Sequence, residues 1–233
     1  MKNQMNQKKG IQKWKSGIAS GIVVLAMTSG CSLFSPWIGD WVYKGLDTVG
    51  ITYGVDGCAN FIGAFMKTTK HVTDTLMEDT SVNYSDSGCK TKISTVFASY
   101  TYKTGASSSA KSAMLDFTTG ATNLKDTGDS ATEVDMTLSK VTFTCNASGC
   151  AQPYADCASK TFPIGTEVDI TACAKTSQPT ISERYDIFTI NGEGKHLEFG
   201  SSYDGTAYNL DGSTKAKRPK YLDGSGAYWL KLK

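Results

Sequence analysis

The chain has 233 residues, with 24 lysines and arginines against 22 aspartates and glutamates, and a formal net charge of +2. Five of the lysines lie in residues 1–30, which hold no acid, so the remaining 203 residues carry 19 bases against 22 acids, a net charge of −3. This weakly acidic balance excludes a nucleic-acid-binding protein as the expected class. The remaining length suits one domain with a real core.

The N-terminal segment has the layout of a secretory signal peptide. Its lysines precede the apolar run 18–27, and the small residues 28–30 lead into Cys31. A cationic start, a short apolar centre and a small-residue cleavage site are typical of export. Ten apolar residues are too few to cross a membrane, which needs about 20. The sequence therefore predicts a signal peptide over residues 1–30.

A cysteine directly after these small residues makes the segment resemble a bacterial lipoprotein signal. The resemblance implies that Cys31 is lipidated, that residues 31–36 form a short tether, and that the lipid binds the membrane more firmly than a single acyl chain would. Ser32 follows, where no aspartate stands, which in a Gram-negative cell favours the outer membrane of the cell envelope. Thr28 stands where such signals usually carry leucine, so a secreted protein without lipid remains the alternative.

The six other cysteines predict disulfide bonds; they are Cys58, Cys89, Cys145, Cys150, Cys157 and Cys173. An even number in an exported chain indicates three disulfides, with 15 pairings open. Cys58–Cys89 is the best single pair, because the other four crowd into 145–173 and indicate one insertion. No pair has the Cys-x-x-Cys spacing and the chain has two histidines, so no metal site is predicted.

Short β-branched and aromatic runs, separated by Gly, Ser, Thr and Asp, predict strands along the whole chain. These runs lie at 40–43, 71–77, 80–84, 92–102, 133–138, 141–145, 166–172, 185–190, 196–199 and 227–232. Residues 105–110 are expected to be a flexible connection, and 59–66 either a short helix or a strand. Strands at such regular spacing, with both chain ends in sheet, predict one closed barrel or a sandwich.

Two local patterns support this interpretation. Residues 133–138 alternate polar and apolar side chains, with Val134, Met136 and Leu138 on one face, which indicates a half-buried antiparallel strand. The pair Asn191-Gly192 between two strand runs predicts a hairpin turn.

The segment Gly39-Asp40-Trp41 resembles the Gly-x-Trp start of the lipocalins, and it lies just after the export signal. In that family the tryptophan plugs the closed end of an up-and-down barrel, often against an arginine, for which Arg218 is the candidate. The resemblance implies an all-β, lipocalin-like antiparallel up-and-down β-barrel over 37–233, with a disulfide-rich insertion at 145–173 and structural roles for Gly39 and Trp41. Further motifs resemble those of secreted bacterial lipocalin-like proteins; they are Tyr84-Ser-Asp-Ser-Gly-Cys89, Tyr185-Asp-Ile187, Phe199-Gly200, Arg218-Pro219 and Leu222-Asp223.

Few side chains point to catalysis. His71 and His196 are the two histidines, and no Gly-x-Ser-x-Gly occurs, so no catalytic residue, no cofactor and no enzyme are predicted. The repeated Leu-Asp-Gly-Ser at 210–213 and 222–225 indicates turns, with a weak calcium site as the alternative. The basic run Lys215, Lys217, Arg218, Lys220 indicates a solvated loop, with contact to anionic lipid headgroups as the alternative.

Bulky residues in the strand runs are the candidates for lining the barrel; they are Tyr84, Phe97, Tyr100, Met136, Phe143, Tyr185, Phe188 and Tyr228. In a barrel of about eight strands such side chains either fill the interior or line a ligand cavity. The leading hypothesis is a cell-envelope lipoprotein whose barrel binds a small apolar or amphipathic ligand, a lipid among the candidates. The alternative is a non-enzymatic surface structural or adhesive module with a filled core, acting through its loops on a protein partner that the sequence does not identify.

Overall fold

A computed structural model describes residues 37–44, 51–53, 57–61, 64–115, 122–191, 194–203, 209–224 and 228–232. All of them belong to one compact unit, Ser35–Lys233. The signal peptide, Cys31 and the tether 31–36 lie outside the described residues, so the expectations about them stay predictions.

The described residues form twelve β-strands and one short α-helix. The strands are β1 (Gly39–Lys44), β2 (Ile51–Tyr53), β3 (Ala59–Phe61), β4 (Ala64–Val72), β5 (Leu76–Tyr84), β6 (Lys92–Leu115), β7 (Thr122–Cys145), β8 (Glu167–Asp169), β9 (Glu183–Asn191), β10 (His196–Ser201), β11 (Tyr221–Asp223) and β12 (Tyr228–Lys231). The helix α1 spans Thr171–Ser177.

Eight of these strands close into an antiparallel β-barrel. Around the barrel the order is β1, β4, β5, β6, β7, β9, β10 and β12, and β12 pairs with β1 again. Each barrel strand therefore pairs with the next barrel strand along the chain, as in an up-and-down arrangement. Strands β2 and β3 extend from β4, β8 pairs with β7, and β11 pairs with β10 and β6.

The alternation predicted for 133–138 is confirmed in β7. Val134, Met136 and Leu138 are buried, whereas Thr137 between them is exposed. Since successive side chains of a strand point to opposite faces, this pattern fixes which face of β7 turns inward. Val134 and Met136 join the barrel core, and Leu138 joins a second apolar cluster beside the insertion.

Residues 105–110 are not a loop, and the expectation of a flexible connection is wrong. They lie inside β6, which pairs with β7 from Ser94 to Leu115, giving two strands of 24 residues each. The register shifts between Thr104 and Ser107 and again between Ser109 and Lys111. Such irregularities bend a ribbon without ending it, so small and polar residues can continue as a strand here.

In the described part of 59–66 the strand alternative is confirmed, because β3 and the start of β4 pair with each other there. The segment 166–172 differs from the single strand that was expected. Residues 166–172 hold the three-residue strand β8 and then the first turn of α1. The Asp169 carboxylate accepts a hydrogen bond from the Thr171 backbone N–H at 2.8 Å, and this local bond favours a turn over a longer strand.

Three disulfides join the six predicted cysteines. Cys58–Cys89 is confirmed, and the other bonds are Cys145–Cys150 and Cys157–Cys173. Cys145–Cys150 links the end of β7 to the insertion, and Cys157–Cys173 joins two parts of the insertion. Phe143 of β7 packs edge-on to Phe162 of the insertion at a centroid distance of 4.9 Å. Three disulfides indicate that the protein folds in an oxidising compartment outside the cytosol.

Candidate ligand-binding cavity in the barrel

One end of the barrel interior is filled with aromatic side chains. Trp41 is fully buried, and its indole N–H donates to the Trp37 carbonyl at 2.9 Å. The Trp37 ring stacks on Phe188 at 4.2 Å and meets Tyr102 edge-on at 4.5 Å. Gly39 has φ +135°, a conformation that suits glycine, so the Gly-x-Trp motif has a structural reason at both of its fixed positions.

The cation over the Trp41 ring is Lys231, and Arg218 lies elsewhere. The Lys231 ammonium is 5.2 Å from the ring centroid, on the residue that pairs with Trp41 across β1 and β12. Arg218 instead donates to the carbonyls of Val134 at 3.1 Å and Asp186 at 2.9 Å. Arg218 lies in the loop before β11, so these hydrogen bonds join that loop to the barrel wall.

Beyond Trp37 and Trp41, the barrel interior contains a cavity of about 280 Å³. Every one of the eight barrel strands contributes to its wall, and β11 adds Asp223; the lining residues are Tyr43, Lys70, Met77, Asp79, Tyr100, Met136, Arg184, Asp186, Phe199, Gly200, Asp223 and Trp229. Along β1 the filled end at Trp41 gives way to the cavity at Tyr43, two residues further on. The lining combines aromatic rings, methionines and five charged groups.

Lys70 is the most deeply buried cation of this lining, with 5 % of its surface exposed. It pairs with Asp79, the residue opposite it on β5, and its ammonium lies 3.4 Å from the Met77 sulfur. The rings of Trp229 and Phe199 are 4.5 and 5.2 Å from the same nitrogen. Burial lowers the pKa of Lys70, while Asp79 acts in the opposite direction. The ammonium is thus held by one carboxylate and two aromatic faces.

Asp186 is buried to a similar degree, with 2 % of its surface exposed. Its carboxylate accepts hydrogen bonds from the backbone N–H groups of Ile187 at 2.8 Å and Gly200 at 3.0 Å, and Arg184 reaches it at 3.3 Å. Burial raises the pKa of Asp186, and Arg184 only partly offsets this. A Cβ at Gly200 would lie 2.3 Å from the Pro219 side chain, so the close approach at Gly200 requires glycine.

The two tyrosines of the wall are neutral at physiological pH. Burial, helped by the charge of Asp79, raises the pKa of Tyr100 to about 12. Burial and the charge of Asp223 raise the pKa of Tyr43 as well. Their phenol groups therefore stay protonated and face the cavity as hydrogen-bonding hydroxyls.

Three of the eight predicted lining residues lie in the barrel interior. Tyr100 and Met136 line the cavity, and Phe188 packs in the filled end. The other five lie elsewhere. Tyr84 is buried opposite Phe65, Phe97 pairs with Thr80 and Thr142 in the sheet, and Phe143 packs on the insertion. Tyr185 donates a hydrogen bond to Glu183 at 2.8 Å, and the Tyr228 ring lies tilted against His196 at a centroid distance of 4.3 Å.

Bulky side chains in the sequence do not identify the charged residues of the cavity. Lys70 shares one face of β4 with Thr68 and Val72, and Asp186 lies within the apolar run of β9. A charged residue on the same face as a buried valine is the signal that could have identified Lys70. Its position in the alternation, and not its residue type, reveals that it points inward.

The two histidines lie outside this cavity. His71 Nδ1 and the Asp40 carboxylate are 2.6 Å apart, on neighbouring strands and both well exposed. His196 lies beside Tyr228. Neither histidine lines the cavity, where the ionisable groups are instead lysine, arginine, aspartate and tyrosine.

The Asp-Gly turns and the basic run have local partners. Asp211 accepts hydrogen bonds from the Ser213 N–H at 3.0 Å and hydroxyl at 2.7 Å, as a turn residue does. In the basic run, Lys217 lies 3.3 Å from Asp211 and Lys215 lies 3.6 Å from Asp135, which also pairs with Arg218. Because these acids neutralise part of the basic run, it offers less positive charge to lipid headgroups than the sequence alone suggests.

The residues that the structure describes include no cluster of three or more His, Cys, Asp or Glu side chains suited to a metal ion. They also include no helix with the length and hydrophobicity of a membrane span. No protein-family model matches the chain, and no curated protein matches it either.

Proposed function

We propose that this protein is an exported binding protein of the cell envelope, anchored by lipid at Cys31, whose barrel holds a small amphipathic molecule. The observation that carries the proposal is the cavity of about 280 Å³, to which all eight barrel strands contribute. Binding would bury the apolar part of the molecule against Trp229, Phe199 and the methionines, while the polar groups fix its orientation. No chemical conversion is proposed.

The barrel supports a lipocalin-like assignment as part of this proposal. The pairing of successive strands, the closure of β12 on β1 and the buried Trp41 under a cation on the last strand agree with the Gly-x-Trp resemblance. The insertion with Cys145–Cys150 and Cys157–Cys173 is an addition to such a barrel. The assignment suits a binding protein that carries its ligand inside the barrel.

The volume of the cavity limits the size of the ligand. At about 280 Å³, the cavity lies just below the range of about 300–1,000 Å³ that is typical of ligand pockets. The proposal therefore favours a single ring or a short chain over a whole lipid, and the five charged groups of the lining favour an amphipathic molecule over an alkane.

Native mass spectrometry tests this function. The protein is purified without detergent and with its disulfides intact, measured by native mass spectrometry, and then extracted with organic solvent. A small molecule present at near-unit stoichiometry supports the proposal and identifies the ligand class. A clean apo mass that does not change after exposure to a panel of ring compounds, short-chain acids and phospholipids contradicts it.

A pair of variants on one strand links the ligand to the cavity. Met136→Phe adds volume inside the barrel and should remove the bound molecule. Thr137→Phe adds a ring at the adjacent exposed position of β7 and should leave it in place. Circular dichroism verifies that both variants keep their strands, so that loss of ligand is separated from loss of fold.

One observation favours a second function, a surface module that acts through its exposed parts. The outer half of the β6–β7 hairpin, residues 103–109 and 123–130, is mostly exposed and rich in Ser, Thr, Lys and Asp. Two results together would support this second function: the barrel contains no ligand, and a partner protein no longer binds once the hairpin is shortened. A ligand that is retained by the shortened protein would favour the cavity.

A further inference from the structure

The Lys70 ammonium has hydrogen-bonding capacity left toward the cavity. It carries three donors, and among the described residues its hydrogen-bond partners are the Asp79 carboxylate and the Met77 sulfur, which is a weak acceptor. The rings of Trp229 and Phe199 lie on its other sides. An acceptor oxygen placed in the cavity would therefore complete the coordination of a buried charge, which is worth more than the same bond in water.

The charges of the lining and the donors of Lys70 together favour a neutral ligand. Lys70 already pairs with Asp79, and Arg184 with Asp186 at 3.3 Å. The fifth charged group is Asp223. An added anion would meet three carboxylates against two bases, in a site where poor solvation strengthens the repulsion. An added cation has no acceptor to offer the Lys70 donors, so a neutral acceptor suits the site best.

We propose that the cavity selects an uncharged ring compound with one carbonyl-type oxygen, which accepts a hydrogen bond from Lys70 while the ring packs on Trp229 and Phe199. The inference rests on the proposed binding function and names the ligand class of the same site. The cavity volume of about 280 Å³ lies just below the usual range of ligand pockets, which suits a single ring with a short substituent.

Four probes of nearly equal size test this specificity on the unmodified protein. Acetophenone carries the acceptor oxygen, ethylbenzene lacks it, benzylamine adds a positive charge and benzoate a negative one. Their dissociation constants are measured by NMR titration, with the indole N–H signal of Trp229 as the reporter of the site. Acetophenone should bind about tenfold more tightly than each of the other three, because each lacks the neutral acceptor.

The possible results separate the ligand class from the function. Tightest binding of benzoate or benzylamine overturns the inference and assigns an ionic ligand. Equal binding of ethylbenzene and acetophenone overturns it in favour of apolar packing alone, with the binding function intact. If none of the four probes binds, both the inferred ligand class and the proposed binding function of this cavity are contradicted.

A double variant tests the role of Lys70 directly. Lys70→Met with Asp79→Asn removes both charges of the pair, so that no unpaired carboxylate remains. The preference for acetophenone over ethylbenzene should fall to within about twofold, since the strong donor is gone. The matched control is Lys140→Met with Glu167→Gln, which removes an exposed ion pair of 3.0 Å and should keep the preference. If the Lys70 pair variant does not fold, the four-probe comparison decides alone.

Discussion

Lys231 on the last barrel strand places its ammonium over the ring of Trp41 on the first, 5.2 Å from the ring centroid. The two residues are also register partners across β1 and β12. This contact therefore lies on the seam where the barrel closes, and the buried indole and the paired strands support each other. The seam brings together residues 190 positions apart in the chain.

Trp41→Ala should destabilise the protein by about 3–5 kcal/mol, because it removes a fully buried indole and leaves a cavity at the seam. Urea unfolding followed by circular dichroism measures the change. Leu124→Ala is the control, since Leu124 is 43 % exposed and should cost less than about 0.5 kcal/mol. Equal costs for the two substitutions would contradict the packing described for Trp41.

Asp186 should make the stability of the protein fall as the pH rises. Its pKa is raised by burial in the folded state, so between its unfolded pKa and its folded pKa the folded protein holds the extra proton. Stability is then lost progressively as the pH rises through this window. Asp186→Asn, which keeps an acceptor for the Ile187 and Gly200 N–H groups, should flatten that decline in urea unfolding measured upward from pH 4.

Asp211 supplies a control of opposite sign. Hydrogen bonds from the Ser213 hydroxyl and N–H lower the pKa of Asp211 to about 2. Its stabilising contribution should be present above its unfolded pKa and be lost as the pH falls toward 2. Asp211→Asn should therefore alter only the acidic limb of the stability profile. If Asp186→Asn changes only this acidic limb, the raised pKa of Asp186 is contradicted.

The disulfides should differ in their contribution to stability. On the chain-entropy argument, the Cys58–Cys89 bond, with a separation of 31 residues, contributes about 3.7 kcal/mol, and Cys145–Cys150, with a separation of five, contributes about 2 kcal/mol. Paired Cys→Ala variants compared by urea unfolding test this ranking. A larger loss from the Cys145–Cys150 pair would show that local packing around the insertion outweighs loop closure.

Lipidation is predicted at Cys31. Cys31→Ser should release the protein from the membrane fraction, since the anchor would be lost while the domain beyond it is unchanged. Metabolic labelling with a fatty acid, followed by fractionation and blotting, measures both effects. Ser32→Ala, which leaves the cysteine in place, is the control and should remain labelled. A labelled or membrane-bound Cys31→Ser protein would contradict the lipoprotein prediction.

Much of the barrel is accessible from local sequence patterns. The alternation at Val134, Met136 and Leu138 is a local signal that predicts the buried face of β7. The pair Cys58–Cys89 is predictable because the other four cysteines lie close together in 145–173. The length of β6 cannot be predicted from local patterns. Its Ser-rich part has little strand propensity of its own, and pairing with β7 overrides that local preference.

The cavity depends on long-range placement. The alternation along β4 can place Lys70 on the inward face, but its partners Asp79, Phe199 and Trp229 come from three other strands and cannot be identified from the local sequence. The volume that remains between these side chains is set by how eight strands curve together. Composition and periodicity identify the wall of the barrel but not the space inside it.

The pairing of β1 with β12 also sets the order of events during biogenesis. The barrel lacks its last wall until residues 228–231 reach residues 41–44, so an N-terminal fragment cannot complete the fold. Bringing such distant segments together has a high entropic cost, which slows folding. Closure of the barrel therefore waits until residues 228–231 have been made and have reached β1.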